Sequence, residues 1–255
     1  MPVAVRLYRS RKTCPQQHYA KRTELAAEIL ALVASWTPRG RRLRIVGDRE
    51  YSCQAILRDL PQGAVFIGHL PMNAALYAAP SARTEKQRGR PPKKGPRLPT
   101  PKQLAGAALP PWELRRPIFY GKPVPILIKS LQCLWYSVTG PRLVRIVVTR
   151  DPKRRLDDRA YVCTDPHMDP DEIVCSFSRR WSQEVLHRNL KQHFGLNDPQ
   201  NGWWRRPAGK RRDTRRPGPE PHAKRGAAAT RRTVPFILLS YGLVVLWYLR
   251  QGTPP

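Results

Sequence analysis

Acidic side chains are scarce in this chain, and most of its character follows from that shortage. Only 18 of 255 residues are Asp or Glu against 47 Lys and Arg, a formal net charge of +29. Such a charge repels itself unless a polyanion lies against it, which points to nucleic acid and leaves a membrane surface or a ribosomal particle as lesser alternatives. No Asp or Glu precedes Glu24. The five cysteines, Cys14, Cys53, Cys133, Cys163 and Cys175, show no CxxC or Cys-His spacing, which argues against a structural zinc site and suggests reduced thiols. The amino-terminal residues MPVAVRLYRSRKT lack the apolar stretch of a secretory signal, so the default location is cytoplasmic. What remains is ample for folding: 40% of the residues are hydrophobic, enough for one sizeable domain or two small ones.

The most informative stretch is FSRRWSQEVLHRNLKQHFG, residues 177 to 195. Asp169 is a suitable N-cap, Pro170 suits the first helical position, Glu172 follows the cap by three, and Gly195 supplies a stop, so one long helix is expected. At 100° per residue, Phe177, Arg180, Glu184 and Lys191 would fall within about 60° of one another, on a stripe roughly 21 Å long. Arg180 preceding Glu184 by four is the weaker order for a helix-stabilising ion pair. Stability alone does not account for the arrangement.

The spacing Phe177-x2-Arg180-x3-Glu184-x6-Lys191 resembles the Tyr-Arg-Glu-Lys signature of bacterial insertion-sequence transposases with a DDE catalytic core of RNase H-like fold. Phe177 departs from it only by lacking the tyrosine hydroxyl. The resemblance implies that Glu184 is a catalytic, metal-binding acid, that Lys191 lies near the transposon end, and that Arg180 and Phe177 contact DNA or brace the site. It implies Mg²⁺ or Mn²⁺ as cofactor, and DNA, both transposon ends and target, as partner. Joining two ends in one complex would suit a homodimer. No small-molecule substrate and no membrane role are implied, and the expected location is the bacterial cytoplasm, at the nucleoid.

Read in order, PVAVRLYR (residues 2 to 9) alternates like a half-buried strand, and ELAAEILALVASW (24 to 36) reads as a buried amphipathic helix. In RLRIVGDREY, a short strand ends at Gly47 with Asp48 beyond it. Reactive groups gather at the carboxyl ends of strands in open α/β sheets, yet an N-cap for a helix over residues 51 to 59 is the commoner task for an Asp there. The resemblance shifts the weight, since Val-Gly-Asp-x-x-Tyr, with Tyr51, matches the second catalytic acid of the family. AVFIGHLP (64 to 71) reads as the next parallel strand.

Far more chain separates Asp48 from Glu184 than one helix and one strand need. Residues 80 to 111 are dense in Pro, Lys and Arg and read as disordered or surface-exposed. Within them Arg88-Gly89-Arg90-Pro91 resembles a minor-groove AT-hook core, with a charged linker as the equal alternative. Several short β-rich runs then suggest a small antiparallel subdomain, which the resemblance equates with the family's β-rich insertion. There Trp135 or Tyr136 would either stack on a displaced base or pack the insertion's own core. Beyond the signature come a basic linker, residues 205 to 232, in which Arg205, Arg206, Lys210, Arg211, Arg212, Arg215 and Arg216 crowd together, and an apolar run, VPFILLSYGLVVLWYL (234 to 249). That run is short of the ~20 residues of a spanning helix, so a buried closing helix is expected, with a membrane anchor as the alternative.

The expected fold is α/β: an incomplete RNase H-like core interrupted by a β-rich insertion, with a C-terminal apolar helix. Residues 1–71 would form the latter strands and helices of the core, 72–168 the linker and insertion, 169–204 the signature helix, 205–232 the basic linker and 233–255 the closing helix. Two-metal cleavage of a phosphodiester needs carboxylates from separate elements. Asp48 and Glu184 match the second and third acids of the resembling enzymes, while the first has no counterpart. The resemblance therefore implies an N-terminally truncated transposase, inactive in strand cleavage and transfer as an isolated chain. The alternative is a non-enzymatic basic nucleic-acid-binding protein.

Overall fold

The computed structural model describes residues 2–12, 14, 16–81, 91–119, 121–196 and 224–252. The chain divides into two compact units, Tyr8–Arg180, built on a sheet, and Trp181–Pro255 with Met1–Leu7, which is helical.

In the sheet unit the order is α1 (Arg22–Trp36), β1 (Arg44–Gly47), α2 (Gln54–Leu57), β2 (Val65–Leu70), β3 (Leu76–Tyr77), β4 (Arg97–Leu98), α3 (Pro101–Gly106), β5 (Glu113–Arg115), β6 (Ile118–Phe119), β7 (Lys122–Pro123), β8 (Ile126–Leu134), α4 (Tyr136–Thr139), β9 (Leu143–Arg150), β10 (Arg159–Cys163) and α5 (Pro170–Ser178). Among the described residues eight strands share one mixed sheet, in the order β1-β2-β10-β9-β8-β3-β4 with β5 also on β8, and β6 pairs with β7 apart from it. Only β1 and β2 run parallel; every other pairing is antiparallel. The protein is thus mixed α/β. The β-rich stretch is not a separate subdomain, because β10 pairs directly with β2 through Ala160 to Leu70 and Cys163 to Ile67.

Alternation along β9 explains why the centre of the sheet is covered on both faces. Val144, Ile146 and Val148 enter one apolar cluster with Leu104 and Ala105 of α3 and Trp135. Val147, between them, joins a second cluster with Ile173, Val174 and Phe177 of α5. Period-two side-chain direction requires this division. A third cluster, Ile56, Leu57 and Phe66, takes partly buried Ala26, Ala27 and Leu30 of α1 against it. The first helix is therefore half-buried rather than buried: none of its residues is fully covered.

One lysine lies inside the sheet unit. Lys129, 1% exposed, donates from Nζ to the carbonyls of Leu104 at 3.1 Å and Ala107 at 2.6 Å, at the carboxyl end of α3, where unpaired carbonyls and the helix dipole favour a cation. Burial, and Arg150 nearby, push its ammonium below the usual lysine range. All five cysteines are free thiols, and burial pushes Cys133 up to about 12 and Cys163 up to about 11.

Four further expectations need correction. Residues 2 to 9 form no strand, although they alternate. Of the stretch expected to be disordered or surface-exposed, the described part is largely exposed but ordered, since it holds β4 and α3, where Thr100 and Gln103 make a reciprocal capping box that closes the helix start. The helix expected over 51 to 59 is a 3₁₀ turn, Arg49–Tyr51, followed by the single turn of α2. Finally, the signature stretch is two helices. After α5 ends at Ser178, the next helix is α6 (Trp181–His193). The break has a local cause: Ser178 Oγ donates to Cys175 O at 2.7 Å, and Arg180 N–H takes Phe177 O, three residues back, at 3.0 Å. A hydroxyl on the last-turn carbonyl and a tightened bond both end regular α-helix.

The helical unit contains α6 and α7 (Lys224–Gln251), where Phe194 meets Tyr241 edge to face with centroids 5.6 Å apart. Helix α7 is longer than the apolar run alone, and Ala228–Gln251 is long and apolar enough to cross a membrane by length and composition. Nor is it buried: Phe236 is 69% and Leu249 73% exposed, with Leu239, Leu243, Val244 and Trp247 also outside.

Candidate functional site

The parallel pair β1 and β2 positions the site. Their register runs from Arg44 opposite Val65 to Gly47 opposite Gly68; β1 ends there with Asp48 just beyond it, while β2 runs on through His69 to Leu70. Alternation places Arg44, Val46 and Asp48, with Val65, Ile67 and His69, on the face that α5 covers. The contacts agree: Val46, Val65 and Ile67 pack with Phe177, and Arg44 holds both Ser176 Oγ and the Glu172 carboxylate of α5. The close approach at the strand ends needs Gly68, since a Cβ there would strike the Phe66 ring and Ser52 Oγ.

Asp48 does two things at once. Its Oδ1 accepts the Arg49 N–H at 2.7 Å and opens the 3₁₀ turn, the capping role expected of an Asp at that point. Its Oδ2 lies 3.9 Å from Arg180 Nη1, and the side chain is still 54% exposed. The Arg180 guanidinium stands 5.7 Å from the centroid of the Phe177 ring. His69 packs edge-on to the same ring at 4.5 Å and stacks on Tyr161 at 5.3 Å. Tyr161 and Phe177 close the set at 4.8 Å.

Burial holds His69 below the usual histidine range; Arg159 and Arg180 push the same way, against Asp48 and the Ala160 backbone. The imidazole is therefore neutral at neutral pH, available as a proton acceptor or donor on a face that also presents a carboxylate and a guanidinium. Burial raises the Tyr161 phenol. A guanidinium held beside a packed aromatic cluster suits pairing with an anion such as a phosphate.

Of the residues singled out in the sequence, Asp48, Phe177 and Arg180 are brought together. Glu184 and Lys191 lie on α6, in the helical unit, Glu184 in the first turn, where an acid suits the helix dipole, and Lys191 in the last. Trp135 is 5% exposed and packed in the cluster of Val144 and Ile146; Tyr136 beside it is half-buried, with Lys94 Nζ 5.7 Å from its ring. Arg88, Arg90 and the basic run from Arg205 to Arg216 lie outside the described residues. Among the described residues no three of His, Cys, Asp and Glu gather as a metal-holding group. Within the sheet unit the Arg180 guanidinium stands 3.9 Å from the Asp48 carboxylate, and a cation at that distance disfavours a divalent ion on the same carboxylate.

His69 and Tyr161 were missed by sequence reasoning. A signal for the first was present, since Gly47-Asp48 and Gly68-His69 repeat a glycine followed by a polar residue, and the two glycines are register partners on adjacent strands. Tyr161 carried none, because its place depends on the antiparallel pairing of β10 with β2. No family model matches the chain, and no curated protein or solved structure matches it either.

Proposed function

We propose that the chain is a DNA-binding protein derived from a DDE transposase, with β1, β2 and α5 as part of an RNase H-like core and Asp48 in the place of its second acid. One observation carries the reading. Asp48 and Arg180, which the signature resemblance assigns to a single DNA-cleaving centre, are far apart in the chain and stand 3.9 Å apart in space. The parallel pair with Asp48 at its carboxyl end supports the same fold. The chain's own contribution is binding: Arg180 pairs with a phosphate, braced by the packed rings of Phe177, His69 and Tyr161.

The test is binding of a fluorescent DNA duplex as salt is raised. A steep fall in affinity is expected, since log K drops by about 0.9 per neutralised phosphate for each decade of salt. Arg180→Ala is expected to weaken binding further at every salt concentration. A slope near zero contradicts the proposal.

A second reading is favoured by α7. A helix of this length with Phe236, Leu239, Leu243 and Trp247 exposed, and with Arg231, Arg232 and Arg250 near its ends, suits a lipid bilayer. Recovery of the expressed chain in a carbonate-washed membrane pellet would favour it, and recovery in the supernatant would exclude it.

A further inference from the structure

The opposite end of the parallel pair carries a different surface. There two turns of the same design lie side by side. In Pro38-Arg39-Gly40-Arg41 the Arg41 N–H donates to Pro38 O at 3.1 Å, with Gly40 at φ +82°. In Pro61-Gln62-Gly63-Ala64 the Ala64 N–H donates to Pro61 O at 3.0 Å, with Gly63 at φ +76°. Glycine in the third position with positive φ is the mark of a type II turn. The strands that follow are joined at once, Val65 N–H to Leu43 O at 2.8 Å, so both turns are fixed on one rigid edge.

Between them lies an open groove of about 590 Å³ whose rim carries Thr37, Arg39, Arg41, Arg42 and Gln62 and whose lining includes no acid. Arg42 is occupied by Asp165 at 2.9 Å. Arg39 and Arg41 are exposed and, among the described residues, have no ion pair. A Cβ added at Gly40 or Gly63 would meet nothing within 4 Å, so the outer side of each turn is clear. Two exposed guanidiniums on an acid-free groove give a chain already at +29 a local positive potential that attracts a polyanion.

We propose that this groove is a second contact for the DNA duplex, in which Arg39 and Arg41 take successive phosphates of one strand. The proposal rests on the DNA-binding reading above and adds where the backbone lies. Arg39-Gly40-Arg41 repeats the Arg-Gly-Arg of residues 88 to 90, but its glycine is folded into a turn. Minor-groove insertion needs an extended Arg-Gly-Arg; a turn presents its arginines outward, to phosphates. Contacts of that kind position the protein on DNA and carry no sequence preference.

The experiment compares duplex binding by the full chain, by Arg39→Ala/Arg41→Ala, by Arg39→Lys/Arg41→Lys, and by Arg97→Ala/Lys102→Ala, which removes two exposed charges beside β4, at the far edge of the sheet. Losing two phosphate contacts is expected to lower the slope of log K against log salt by about 1.8, equally on A·T-rich and G·C-rich duplexes. The double lysine variant should keep both charge and slope, which separates charge from folding. An alanine pair no more damaging than the Arg97/Lys102 pair overturns this groove and leaves the DNA-binding reading standing. A loss confined to A·T-rich duplex overturns backbone contact in favour of the minor groove. If the unaltered chain binds no duplex, both readings fall together.

Discussion

The sheet of the larger unit and helix α7 are built from the same kinds of side chain and treat them in opposite ways. In β9, Val144, Ile146, Val147 and Val148 are each 0% exposed, because strands on both sides and helices α3 and α5 above and below remove them from water. In α7, Leu239, Leu243, Val244 and Leu249 stay more than half exposed. Apolar content therefore does not measure burial; it measures how much partner surface a segment requires. At roughly 25 cal/mol per Å² of apolar surface buried, the sheet gains its hydrophobic stabilisation internally, while α7 leaves most of its own unrealised.

The comparison is broken most sharply by truncating one residue from each region. Ile146→Ala is expected to cost about 2–5 kcal/mol, as large-to-small changes in packed cores do. Leu239→Ala should change the unfolding free energy by no more than about 0.5 kcal/mol, as exposed positions do. Urea unfolding of both variants checks this, and equal losses would show that α7 is packed after all.

A smaller effect is expected at the edge of the sheet core. Arg150 joins β9 to three things: it pairs with Asp158 at 2.6 Å, donates to Ala105 O at 2.9 Å, and lies 4.1 Å from the Trp112 ring. Asp158 is held below the usual carboxylate range by Arg150. Asp158→Ala leaves that guanidinium half-paired and should cost about 2–4 kcal/mol, a little under the penalty for a fully buried pair. Because the native carboxyl titrates below its unfolded value, its contribution is complete above the usual Asp range and is lost as pH falls beneath it. The variant should flatten that part of an acid titration.

How much of this was legible in the sequence differs between elements for physical reasons. Strands β1 and β2 were readable because each is a short apolar run bounded by local breaks, and Asp48 fell where the pattern placed it. The stretch PVAVRLYR alternates as well, yet forms no strand; alternation is necessary for a half-buried strand but does not supply the neighbour that pairs it. The signature helix was misread as continuous because periodicity ignores a Ser178 hydroxyl that captures the carbonyl of Cys175. The aromatic wall of His69 and Tyr161 could not be assembled from sequence, since β2 and β10 meet only through their antiparallel register.

The smallest effect concerns that wall. His69 titrates below its unfolded value, so the unfolded chain takes up the proton first as pH falls through the usual histidine range, near 6.5. Stability from a neutral His69 is complete above about pH 7 and declines toward the lower folded value. His69→Phe, which keeps the ring packing without the charge, should remove this decline in thermal unfolding between pH 7 and 5. An unchanged pH dependence would place the imidazole in water.

The most direct test of the account is a single gel of supercoiled plasmid incubated with the full chain and Mg²⁺ or Mn²⁺. The account predicts retarded plasmid that is released by salt and remains supercoiled, because the Arg180 guanidinium beside Asp48 disfavours a divalent ion there. Metal-dependent conversion to nicked circles, lost on Asp48→Asn, would contradict it and establish a complete cleavage site.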